Sequence, residues 1–181
     1  MKKLIIFSAT ILGFNFAAHA QATSSANQNV ALSLSNAIAI TFVGTGTATG
    51  SALSLPFATV SDYTNGVTSA AQQIKVQSNK AFNVTMNANA ANFTYSGATT
   101  PAPVMPVSNL NLMVTANSTG GTVPGTYATS YTDVTNTAST ILSGCTNGGN
   151  QTFSVQYQAT PGFNFPAGTY TTNIVYTATQ P

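Results

Sequence analysis

Apolar and polar residues alternate with a period of two along most of this chain, and the clearest case lies near its end. Phe153, Val155 and Tyr157 alternate with Ser154, Gln156 and Gln158, the signature of a strand with one buried face. Tyr170, Thr172, Ile174 and Tyr176 repeat the pattern against Thr171, Asn173, Val175 and Thr177. Pro161, Gly162, Pro166 and Gly168 punctuate a loop between the two runs. Two strands so joined form an antiparallel hairpin or a connection between two sheets. Phe153, Val155, Tyr157, Tyr170, Ile174 and Tyr176 are its expected core residues.

The same pattern recurs upstream. Val30, Leu32 and Leu34 alternate with small polar residues, Asn36 marks a break, and Ile38, Ile40 and Phe42 resume the alternation. This predicts one long bent strand or two short ones. The spaced glycines of Gly44–Gly50 read as a loop, because no helical pattern or lysine accompanies them. Leu53, Leu55 and Phe57 predict a strand, with Pro56 placing it at an edge. The stretch 60–69 reads as loop. Ile74 and Val76, then Phe82, Val84 and Met86, predict a hairpin turning at Asn79-Lys80. Pro101, Pro103 and Pro106 exclude helix. Leu110, Leu112 and Val114 restart a strand, and the stretch 126–132 reads as an edge strand.

No window outside the first twenty residues carries a helical apolar stripe, and no internal repeat or linker divides the chain. Strands at this spacing predict an all-β fold, an Ig-like antiparallel β-sandwich of about 7–9 strands.

Lys2 and Lys3, the apolar run Leu4–Phe16 and Ala18-His19-Ala20 have the layout of a secretory signal peptide, too short in its apolar part to span a membrane. The expected organisation is a signal at 1–20 and a single β-sandwich domain at 21–181, opening with a flexible arm at 21–28. Export from a bacterial cell, with a secreted or cell-surface location and no membrane span, follows as an expectation.

Removing the signal changes the charge picture. The formal net charge of +2 belongs to Lys2 and Lys3, and the remainder holds only Lys75, Lys80, Asp62 and Asp133 as charged side chains. His19 leaves with the signal, and the sequence contains no Glu, Arg or Trp. So few cations argue against nucleic acid and anionic membranes as partners. Disorder is also disfavoured, because 43% of residues are apolar and they alternate regularly. Two aspartates, one cysteine and no histidine do not make a hydrolytic or metal-binding constellation, so no enzyme activity, catalytic residue, metal or cofactor is expected. Cys145 is the only cysteine. It is read as a free thiol in a loop, with a disulfide between chains as the alternative.

The segment Pro166-Ala167-Gly168-Thr169-Tyr170 and the alternating run through Thr179 resemble the closing strand of bacterial spore-coat-protein-U-type and chaperone–usher fimbrial subunits. The run Gln73–Met86 is compatible with them, whereas the paired cysteines of many fimbrial subunits are missing. The resemblance implies an incomplete sandwich completed by a neighbour's N-terminal strand, with Val30, Leu32, Leu34, Ile38, Ile40 and Phe42 as candidate donor residues. The other reading of that run is the domain's own first strand. The implied function is a secreted structural subunit of a surface filament, fimbria or biofilm matrix. Its expected partners are itself, as a homo-polymer, or related subunits, with a periplasmic chaperone as a further candidate. A monomeric secreted adhesin or glycan-binding module is the alternative.

Overall fold

The structure is a computed structural model that describes residues 24–43 and 52–181. The expected signal peptide, the first three residues of the expected arm and the Gly44–Gly50 loop lie outside the described residues. The chain divides into two units, Met1–Leu34 and Ser35–Pro181. In the first, residues 24–34 have no regular secondary structure, and Val30, Leu32 and Leu34 are 72%, 85% and 88% exposed.

The second unit is an antiparallel all-β sandwich. Its strands are β1 (Ile38–Phe42), β2 (Val67–Thr68), β3 (Gln72–Ser78), β4 (Phe82–Ala88), β5 (Thr94–Ser96), β6 (Leu110–Asn117), β7 (Thr132–Asp133), β8 (Ser139–Cys145), β9 (Gly148–Ala159), β10 (Thr169–Thr171) and β11 (Ile174–Thr179). Seven of these eleven have five residues or more; the sequence count of 7–9 misses short pairing segments too brief to alternate visibly. One sheet runs β1-β3-β9-β6-β7, with β2 also beside β9. The other runs β11-β4-β8, and β10 pairs with β5 apart from both.

The core is the space between the sheets. Ile74, Val76, Leu112, Val114, Phe153 and Val155 of the first sheet join Phe82, Val84, Met86, Ile141 and Leu142 of the second in one buried cluster. Ile141 and Leu142 are both fully buried although adjacent. A bulge permits this: Val84 opposes Leu142 and Thr85 opposes Thr140, which leaves Ile141 as the extra residue. Among the described residues no buried side-chain nitrogen or oxygen lacks a hydrogen-bond partner, so the buried Ser69, Gln72, Ser78 and Thr119 are satisfied.

Several expectations need correction. The segments at 72–78 and 82–88 are both strands, but they do not form a hairpin. β3 pairs with β1 and β9, and β4 pairs with β11 and β8, so Asn79-Lys80 carries the chain from one sheet to the other. The apolar faces of β3 and β4 then meet across the core, which side-by-side pairing would prevent. For the C-terminal pair the structure takes the second of its two expected forms, a connection between sheets: β9 lies in the first sheet, and the run 169–179 splits into β10 and β11. Residues 60–69 hold a helix, α1 (Val60–Asn65), and β2 rather than a loop. Thr59 and Asp62 form a reciprocal capping box at the start of α1. Residues 126–129 belong to α2 (Gly125–Thr129), which buries Tyr127, and of the expected edge strand at 126–132 only Thr132 lies in a strand, β7 at the end of the first sheet. Cys145 ends β8 instead of sitting in a loop. It is buried and unpaired, with its Sγ 3.1 Å from the Thr119 hydroxyl that donates to it. Burial pushes its thiol pKa up against that hydrogen bond, which disfavours the thiolate needed for disulfide exchange.

Phe153 sits at the centre of the core, whereas Lys75 points away from it on β3. We expect Phe153→Ala to destabilise the protein by about 3–5 kcal/mol and Lys75→Ala to stay within about 0.5 kcal/mol of the parent, both read from denaturant unfolding.

Candidate functional site

The two sheets are closed unequally at their sides. The outer edge of β8 is covered, because Thr122 and Ser143 exchange backbone hydrogen bonds of 2.8 and 2.9 Å. β11 ends its sheet, and among the described residues its ladder is with β4 alone. Its inward residues Ile174, Tyr176 and Ala178 are only half-buried, whereas Val84 and Met86 beside them on β4 are fully buried.

Side chains bridge the gap between β11 and β1, the outermost strand of the other sheet. The Gln180 amide donates to the Ala37 carbonyl at 3.0 Å and lies 2.8 Å from the Ser78 hydroxyl and 3.1 Å from Asn79 Oδ1. The Asn79 side chain in turn accepts from the Ala37 N–H at 2.9 Å and donates to the Ser35 carbonyl at 2.8 Å. Phe42 meets Tyr176 edge-on, with ring centres 5.9 Å apart. Beyond this contact the side opens into a groove of about 760 Å³, whose walls include Phe93, Leu110, Tyr157, Ile174 and Tyr176.

Residues 52–57 lie along this groove as a strap. Leu53, Leu55 and Phe57 are half-buried and alternate with exposed Ala52, Ser54 and Pro56. The predicted alternation is present, but the predicted strand is not: among the described residues no backbone hydrogen bond holds 52–57 to another strand. Pro56 has no N–H to offer. The strap ends on the α1 cap, where Asp62 Oδ2 accepts from the backbone N–H of Thr59 at 2.7 Å and of Ala58 at 2.9 Å. The Thr59 and Ala58 N–H groups, with help from the Thr59 side chain, hold the Asp62 carboxyl below its usual range. Past the strap, Phe57 contacts Tyr63, and Tyr63 stacks on Phe163 at 5.4 Å.

At the deep end the Tyr157 and Tyr176 hydroxyls are hydrogen-bonded at 2.6 Å. Burial drives the Tyr157 phenol up to about 12 against that bond. Burial, then the neighbouring Tyr157, raises Tyr176 well above its ordinary value. Both are neutral at any physiological pH, so the groove floor is uncharged.

The structure divides the candidate donor residues. Ile38, Ile40 and Phe42 belong to β1 and oppose Ser78, Val76 and Ile74 of β3, as the domain's own edge strand. Val30, Leu32 and Leu34 stand exposed in the other unit. Of the expected C-terminal core residues, Phe153, Val155 and Tyr157 are buried, Ile174 and Tyr176 form the open face, and Tyr170 lies apart in β10 against Tyr95. Sequence reading missed Asn79 and Gln180 as clamp residues, and the pairing of Tyr63 with Phe163. Only the Thr59-x-x-Asp62 spacing carried a local signal. No protein-family model matches the chain, and no curated protein matches it.

The tyrosine pair, the buried Cys145 thiol and Asp62 set the pH response. A phenol raised in the folded state adds stability that is complete below the unfolded value near about 10 and is lost as pH rises through the folded value. A depressed carboxylate adds stability above its unfolded value near about 4 and loses it as pH falls through the folded one. We expect Tm to be flat between about pH 5 and about pH 8 and to fall above that, first through Cys145 and more steeply above about pH 10 through the tyrosines, with Tyr176→Phe weakening the alkaline fall. A calorimetric pH series reads both.

Proposed function

We propose that the chain is a secreted structural subunit of a bacterial surface filament, fimbria or biofilm matrix, and that it assembles by strand addition. The observation that carries this reading is the half-buried apolar face of β11, which among the described residues has no strand partner on its outer edge. Natural edge strands are usually blunted by charge, proline or a cover. β11 and β1 contain no charged residue and no proline. The exposed Val30, Leu32 and Leu34 supply an alternating apolar segment of the kind that adds to such an edge, with main-chain hydrogen bonds for affinity and alternate side chains for specificity. The near-absence of charge supports association as well, because little electrostatic repulsion opposes it. The resemblance to fimbrial subunits points the same way.

One observation favours a monomeric glycan-binding module as a second reading. Phe163 is 65% exposed and stacked on Tyr63, a flat aromatic surface of the kind on which a sugar ring packs.

The test uses the expected mature chain, Gln21–Pro181, beside a version lacking Gln21–Ser35, with near-UV circular dichroism to confirm folding. We expect size-exclusion chromatography and negative-stain imaging to show filaments from the first and none from the second. A folded monomer at high concentration from both overturns assembly, and saturable glycan binding by that monomer, lost in Phe163→Ala, supports the second reading.

A further inference from the structure

The reading of the chain as free of repeats fails at one place. Ala31-Leu32-Ser33-Leu34 recurs as Ala52-Leu53-Ser54-Leu55. The two copies stand in opposite environments. In the first, Leu32 and Leu34 are 85% and 88% exposed. In the second, Leu53 and Leu55 pack half-buried against the core at the groove. In extended backbone each copy presents two leucines on one face at the same spacing, roughly 7 Å apart. The groove accepts that pair from the strap.

We propose that Ala52–Leu55 is an intramolecular placeholder, occupying the seat into which a second copy of this chain inserts its Ala31–Leu34. This rests on the assembly reading above and deepens it by naming the segment that the incoming strand must displace. Exchange of one Ala-Leu-Ser-Leu for another leaves the buried apolar groups unchanged, so the hydrophobic contribution is nearly balanced. The backbone breaks the balance. The strap makes no ladder among the described residues and runs into Pro56, whereas Ser35 follows the first copy and retains its N–H. An incoming segment therefore gains hydrogen bonds to the open edge of β11 that the strap forgoes. The strap's advantage is tethering: it is already on the molecule and pinned at Ala58 and Thr59 by Asp62, which gives it a high effective concentration. Apparent affinity for the incoming segment is lowered by the fraction of molecules whose strap is seated.

The test reads displacement directly. An environment-sensitive dye is placed on the mature chain through Ser54→Cys; residue 54 is exposed, and the native Cys145 is buried. At concentrations where the chain is monomeric, a synthetic peptide spanning Asn29–Asn36 is titrated in. We expect a saturable signal that disappears when both leucines of the peptide are serine. No signal, or the same signal from both peptides, overturns the proposal. In an unlabelled L53S/L55S chain, checked for folding by near-UV circular dichroism, the peptide should bind about tenfold more tightly or better, with assembly starting at correspondingly lower concentration. Asp62→Ala, which unpins the strap and is not itself a groove-lining residue, should shift binding the same way if the double variant fails to fold. Unchanged peptide affinity in a folded strap variant overturns the placeholder even if filaments form through the arm. Peptide exchange without filaments at any concentration supports the placeholder and removes the filament reading instead.

Discussion

The apposition of β3 and β4 across the core is the constraint on which the rest of this structure depends. Ile74 and Val76 on one strand and Phe82, Val84 and Met86 on the next must all leave water, and a two-strand hairpin has only one face to offer them. The chain solves this by changing sheets at Asn79-Lys80. Once β3 and β4 lie in opposite layers, β9 and β6 extend the first sheet while β8 and β11 flank β4 in the second. The order β11-β4-β8 then leaves β11 outermost, next to β1 in the other layer. The open side of the sandwich follows from where the chain chose to cross.

The contacts between β1 and β11 on that side are made by uncharged groups. Gln180 and Asn79 clamp the start of β1 to the end of β11 through amide hydrogen bonds, and Phe42 leans on Tyr176. Neutral hydrogen bonds and ring contacts are insensitive to salt and to mild pH change, in contrast to exposed ion pairs. The tyrosine pair at the groove floor extends this neutrality inward, because burial keeps both phenols protonated. A surface of Thr, Ser, Asn and Gln around an uncharged groove leaves salt and mild pH change little to act on.

Much of the fold was legible because alternation is a local property. Ile74, Val76, Phe82, Val84, Met86, Leu112, Phe153 and Val155 were each identified as inward-facing from neighbours two residues away, and each is buried. Pairing was less legible. The turn at Asn79-Lys80 has the same residues whether it closes a hairpin or crosses between layers, since the choice depends on what β9 and β11 supply from about seventy to a hundred residues downstream. Helices α1 and α2 were missed because five or six residues are too few to show a 3.6-residue period. The strap was misread for a different reason. Its alternation reports a buried face, which it has, and says nothing about whether a neighbouring backbone is present to pair with it.

By itself the sequence determined that this is an all-β protein with one apolar face per strand and almost no charge. Those properties are set by residue type and short-range order, and no arrangement in space alters them. Tertiary structure alone decided that β11 lies at an open edge, that Ile38–Phe42 is spent on β1 while Val30, Leu32 and Leu34 remain exposed, and that one Ala-Leu-Ser-Leu segment lines a groove while its twin does not. Identical residues had opposite fates because burial depends on which surfaces the whole chain brings alongside them.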